Sequence, residues 1–151
     1  MNALYQISYI SRSAIIGNHQ TIENEIANIL QVAQGNNRSQ DITGALLYSG
    51  GYFCQVIEGI QENIETLFES IQMDARHRAV TVLHYEPITS RQFGDWQMAL
   101  AGIEEPLRFD VDGLVEDATQ IKIKESAKDI VNTLYKLVMQ KQHVLSQQTG
   151  Q

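Results

Sequence analysis

The stretch NNRSQDITGALLYSGGYFCQVIEG, residues 36–59, decides how this chain folds. It reads as a polar loop, a strand, a tight turn and a second strand. Ile42 to Tyr48 and Tyr52 to Ile57 are rich in β-branched and aromatic residues, and Ser49-Gly50-Gly51 separates them. Glycine supplies the positive φ that short hairpin turns need, so the stretch predicts a β-hairpin. Gln55 is its odd residue. It interrupts the apolar run Phe53-Cys54-Gln55-Val56-Ile57, and a buried amide is costly unless its donors and acceptor are met. A polar neighbour or a polar ligand has to meet it.

Outward from the hairpin, Leu4 to Ile10 alternates as a first strand, with Tyr5, Ile7 and Tyr9 on one face and Leu4, Gln6, Ser8 and Ile10 on the other. Ser11 to Gly17 reads as a loop. Ile22, Ile26, Ile29, Leu30 and Ala33 recur at helical spacing from about His19 to Ala33, and Gly35-Asn36-Asn37 offers residues that tolerate a left-handed helix end. Ile64, Leu67, Phe68 and Ile71 mark a second amphipathic helix over Gln61 to Met73, with Asp74-Ala75-Arg76-His77-Arg78 as its polar exit. Val80 to Ile88 reads as a fourth strand. Pro87 to Asp95 reads as a loop with Phe93 plugged inward, and Trp96 to Ala101 as a fifth strand carrying Trp96, Met98 and Leu100 on one face. The order βαββαββ predicts an α+β, ferredoxin-like sheet with two helices on one face. Beyond it come a short helix over Asp110 to Thr119 and a longer one from Glu125 to about Ser146. The expected division is a domain over residues 1–103 and a helical extension over 104–151.

Composition narrows the function. The 151 residues carry a net charge of -7, which argues against nucleic acid or an anionic membrane as partner. All five lysines fall between Lys122 and Lys141, marking the tail as a solvated helical segment. The single cysteine, Cys54, excludes an internal disulfide and fits a reducing, cytoplasmic setting. No run of 18 apolar residues is present.

Most candidate sites have a plainer reading. Gly50-Gly51 lacks the Lys-Ser/Thr and the helix of a phosphate loop. His19, His77, His84 and His143 have no metal-ligand spacing. Ser11, His77 and Asp41 make a conceivable triad, but nothing in the sequence joins them. Arg76-His77-Arg78 is a solvated helix end or a phosphate-binding pocket rim. Cys54 alternates away from Gln55 and reads as a core thiol. Tyr9 and Gln55 are harder to dismiss. With both strands central, a phenol and an amide meet under the helices, as a structural hydrogen bond or as a ligand site. The nearby amides of Asn36 and Asn37 would suit a flat heterocycle with carbonyl and imide edges.

Taken together, several segments resemble the BLUF family of flavin-binding blue-light sensors over about residues 3–103. They are Leu4-Tyr5-Gln6-Ile7-Ser8-Tyr9, Asn36-Asn37 with Ile42-Thr43-Gly44, Phe53 to Gly59, Asp74-Ala75-Arg76-His77, and Arg91 to Met98. The resemblance implies a non-covalent flavin between the two helices, FAD foremost, with FMN or riboflavin as alternatives. It implies Tyr9 as the photoactive tyrosine and Gln55 as the switching glutamine. Asn37 would lie at the flavin carbonyl and imide edge and Asn36 beside it. Ile29 and Ile71 would sandwich the ring, Asp74, Arg76 and His77 would line the rim, and Trp96 and Met98 would relay the signal. It further implies a rearranged hydrogen bond on illumination, no enzymatic turnover, and output to a separate signalling protein or through homo-oligomers. Ser8 stands where an apolar residue is commoner, and Ala33 where some members carry a small polar one. The rival readings are a small ferredoxin-like enzyme such as an acylphosphatase, with Arg12 just after the first strand, and a non-photoactive ligand-binding regulatory domain.

Overall fold

The computed structural model describes residues 3–49, 51–94, 96, 98–103 and 130–140. Strands β1 (Leu4–Ser13), β2 (Thr43–Ser49), β3 (Tyr52–Ile60), β4 (His77–Ile88) and β5 (Ala99–Ile103) alternate with helices α1 (His19–Gln40) and α2 (Gln61–Met73). They form one sheet in the order β4-β1-β3-β2-β5. β1 and β3 are central and antiparallel, and β2 adds β5 as a parallel edge. This is the expected ferredoxin-like α+β layout with one strand appended.

The hairpin behaves as its residues dictate. β2 and β3 pair from Thr43↔Glu58 to Ser49↔Tyr52, and Gly51 takes φ 82° in the turn. Gly44 is needed for a different reason. A Cβ there would stand 2.0 Å from the Val56 carbonyl oxygen, so no side chain fits.

α1 runs further than its sequence predicts. Gly35, Asn36 and Asn37 lie inside it, and the left-handed end is Asp41 (φ 53°), whose N–H reaches the Asn37 carbonyl. Arg91 fixes this end by donating to the Asp41 carbonyl at 2.7 Å and to its carboxylate at 3.2 Å. At the other end Asn18 caps the helix by accepting from the Thr21 N–H. β1 also outruns its expected end at Ile10, because Arg12 pairs with Tyr52 and Ser13 with His77. β4 begins at His77, three residues early, so His77 is not part of a solvated helix exit.

Alternation along the central strands sorts the core into two layers. Under α1 and α2 lie Ile7, Ile57, Leu46 and Phe53, with Ile26 and Ile64 from the helices. The opposite face carries Ile10, Ala45, Leu47, Cys54 and Val56. A third helix, α3 (residues 130–140), covers that face with Ile130, Val131, Leu134, Leu137 and Val138. Burying each of these side chains is worth about 1.5–3 kcal/mol. The predicted helix over Asp110 to Thr119 lies outside the described residues, as do the flanks of the one from Glu125 to Ser146.

The expected shared face of Trp96 and Met98 is corrected. β5 starts at Ala99, and the irregular backbone before it does not alternate. Met98 enters the layer under the helices, whereas Trp96 packs with the opposite layer beside Phe93 and Tyr135.

Candidate functional site

Tyr9 and Gln55 are direct partners across β1 and β3. Both side chains rise on the helix-covered face. The Tyr9 hydroxyl donates to Gln55 Oε1 in a buried hydrogen bond. Gln55 Nε2 donates in turn to Met98 Sδ at 3.5 Å, and thioether sulfur is a weak acceptor. Gln34 Nε2 holds the Met98 carbonyl at 3.1 Å.

Above this pair a cleft opens between α1 and α2. Ile29, Asn36 and Asn37 line it from α1, Ile71 from α2, and Gln55 and Met98 from below; Asp74, Arg76 and His77 close one end. Tyr9 lies beneath, wholly buried and linked through Gln55. Trp96 is the one expected site residue that lies apart, on the other side of the sheet. Asn37 is buried and Asn36 exposed, as neighbouring positions on one helical turn require.

Charge is concentrated at the closed end. Arg76 grips Asp74 with Nε at 3.0 Å and Nη2 at 2.8 Å, and reaches α1 through Asn28 at 3.3 Å and Glu25 at 3.5 Å. It therefore ties the exit of α2 to α1. The hydrogen bonds from Arg76 hold the Asp74 carboxyl below its ordinary pKa. Burial lowers the pKa of His77. Burial, and secondarily the charge of Asp74, raises Tyr9 well above the ordinary phenol, so Tyr9 keeps its proton. Cys54, on the far layer, is pushed up to about 12 by burial and is inert.

The structure also makes a contact that the sequence did not join. Ser11 Oγ lies 2.8 Å from His77 Nδ1, and the ring tilts against Phe53 with centroids 4.6 Å apart. Asp41 is elsewhere, bound to Arg91, so no triad forms. The acylphosphatase reading loses its loop. Ile10 to Ser13 are strand residues, and Arg12 stacks over the Tyr52 ring at 5.3 Å. Among the described residues no group of three or more His, Cys, Asp or Glu side chains is placed to hold a metal, and no helix is long and apolar enough to cross a membrane.

A larger cavity, about 270 Å³, lies on the far side of α2 between Ile7, Phe68, Val82 and Tyr85. Its lining adds the Glu65 and Glu69 carboxylates and a single amide, Gln72, with no second amide to read a heterocycle. The α1–α2 cleft encloses about 140 Å³ and pairs apolar walls with three amides. That donor and acceptor set fits the polar edge of a flavin ring between aliphatic side chains.

An amide-floored cleft under two helices, with a tyrosine bonded to the floor glutamine, defines a flavin-binding sensory α+β domain. The chain belongs to the BLUF family, described as sensors of blue light using FAD, whose pattern matches residues 4–99. It is 42% identical over 73 residues to photoactivated adenylate cyclase subunit beta of Euglena gracilis, covering 48% of this chain but 8% of that protein. It is 31% identical over 87 residues to the blue light- and temperature-regulated antirepressor BluF of Escherichia coli, covering 58% and 22% of the two chains. The chain thus spans less than a quarter of either relative. Its structure resembles the dark state of the BLUF protein BlrB with TM-score 0.68 and 28% identity, over 91% of this chain and 96% of that one. The BLUF domain senses light through a bound flavin and is not itself catalytic.

Proposed function

We propose that Tyr9 and Gln55 are the light switch of this receptor. The observation that carries this reading is the buried hydrogen bond from Tyr9 to Gln55 Oε1 at the floor of the cleft. Asn37 and Asn36 would hold the polar edge of the flavin, Ile29 and Ile71 its faces, and Asp74, Arg76 and His77 its rim. When bound, the flavin supplies blue-light absorption and, once excited, oxidising power. Tyr9 is the oxidisable side chain beside it, and its phenolic proton already rests on a bond to Gln55 Oε1. Loss of an electron from Tyr9 to a bound flavin would make the phenol strongly acidic, and its proton would move along the bond to Gln55 Oε1, electron and proton both returning to Tyr9 when the switch resets. The Gln55 amide could then rotate or change tautomer, because its Nε2 is held by only a weak bond to Met98 sulfur.

Output follows from what the floor touches. Met98 bonds Gln55, and two residues earlier Trp96 meets Tyr135 of α3. A light-dependent shift of this segment would change how α3 sits on the sheet, and a separate signalling protein or a second copy of the chain would read the difference. On this reading the whole protein is a cytoplasmic signalling receptor with no turnover of its own. The test is absorption of the purified protein in the dark and after blue light. A yellow protein with a reversible red shift is expected; a colourless protein, or one whose flavin spectrum does not move, overturns the reading. Light scattering in both states then reports self-assembly.

A further inference from the structure

The face of the sheet opposite the cleft contains a buried carboxylate that the switch does not use. Glu58 is 0% exposed. Its Oε2 accepts from Gln6 Nε2 at 2.7 Å and from the Gln92 N–H at 2.9 Å, and its Oε1 from the Phe93 N–H at 2.7 Å and Thr43 Oγ1 at 3.4 Å. A polar chain orients the Gln6 amide. Since its Nε2 faces Glu58, its Oε1 must accept from His84 Nε2 at 2.8 Å, and His84 Nδ1 then accepts from Ser8 Oγ at 2.6 Å. Arg91 closes the other side, donating to Thr43 Oγ1 at 2.9 Å and to the Glu58 carbonyl at 3.2 Å. A charge is buried here only because oriented donors surround it.

Two of those donors belong to the backbone that leads into the relay segment. Phe93 is fully buried, its carbonyl accepts from the Trp96 N–H at 3.1 Å, and the Trp96 carbonyl accepts from the Gly44 N–H at 3.1 Å. We propose that Glu58 is a positioning residue for signal output: by holding the Gln92 and Phe93 amides it fixes the segment that carries Met98 against Gln55 on one face and Trp96 against Tyr135 on the other. This rests on the Tyr9–Gln55 switch proposed above. Glutamine cannot replace Glu58, because both carboxylate oxygens accept a backbone N–H. An NH₂ at either position displaces one of those bonds.

Trp96 is the only tryptophan, so emission excited at the red edge of indole absorption, where the six tyrosines do not absorb, reports this segment. Glu58→Gln in the full, flavin-loaded chain is expected to keep flavin and the red shift, because Tyr9, Gln55 and the cleft lie on the opposite face. The Gln92 and Phe93 amides should exchange about tenfold to a hundredfold faster, the factor for losing a hydrogen bond to a charged group. The light-minus-dark change in Trp96 emission should vanish. A purely structural role would lower the melting temperature without separating the red shift from the Trp96 signal, and would overturn the proposal, as would unchanged exchange. If Glu58→Gln does not fold, the unsubstituted protein decides. Gln92 and Phe93 should exchange more than about tenfold slower than the exposed Thr89 and Ser90, and equal rates overturn the proposal. Absence of any red shift in the unsubstituted protein would instead count against the switch itself.

Discussion

Replacing Asn37 by alanine removes one side-chain amide from a wholly buried position in the last turns of α1. The backbone work of Asn37 is untouched, since its carbonyl accepts the Asp41 and Ile42 N–H groups whatever the side chain. Alanine is also the better helix former. What the flavin loses can then be worked out. An amide offers a flavin edge one donor and one acceptor, and each net hydrogen bond is worth about 1 kcal/mol. The two together, about 2 kcal/mol, correspond to roughly 30-fold weaker binding. Titrating flavin into flavin-free wild type and Asn37→Ala by fluorescence quenching measures the ratio, and a circular-dichroism melt without flavin reports separately what the amide contributes to the fold. Affinities within twofold would refute the placement of Asn37 at the flavin edge. A large fall in stability without flavin would show that the amide serves the fold instead.

Two further perturbations separate the faces of the sheet. Leu134→Ala empties a fully buried position of α3 and should cost about 2–5 kcal/mol in urea unfolding while flavin occupancy and the red shift persist. A loss under about 1 kcal/mol would mean α3 is not firmly docked. Acid should destabilise the fold through His77 and His84, whose pKa values burial lowers. The unfolded chain then takes up protons at higher pH than the folded one, so this contribution is intact above about pH 6.5 and is lost as the pH falls below it toward the folded values. Melting temperatures between pH 7.5 and 5 should fall accordingly, and a flat profile would contradict the buried, neutral assignment.

The pairing of Tyr9 with Gln55 was legible because period-two alternation on two central strands leaves a side chain only two faces. The same rule put Cys54 opposite Gln55 as a core thiol, on the face that α3 covers. The rule failed where its premise did. Trp96 and Met98 precede β5 in irregular backbone, so spacing by two did not put them on one face. The end of α1 was misread because Gly35-Asn36-Asn37 has the composition of a helix stop. Composition does not show that Asp41 takes the left-handed conformation, with Arg91, fifty residues on, bonded to it. Glu58 went unremarked, although a carboxylate closing the run Phe53 to Ile57 raises the same question that Gln55 did. The donors that answer it come from Gln6, Thr43, Gln92 and Phe93, which sequence separation hides. The contact of Ser11 with His77 depended on β1 and β4 both running longer than their apolar patterns.

The central claim is that the Tyr9 hydroxyl, bonded to Gln55, is the group on which light acts. Tyr9→Phe deletes that hydroxyl and nothing else from the fully buried ring that packs edge-on against Phe68. Its light-minus-dark absorption spectrum, recorded with flavin bound and beside the unsubstituted protein, is the direct measurement. The account predicts a normal dark spectrum and no red shift in the variant; a full, reversible red shift in Tyr9→Phe would contradict it.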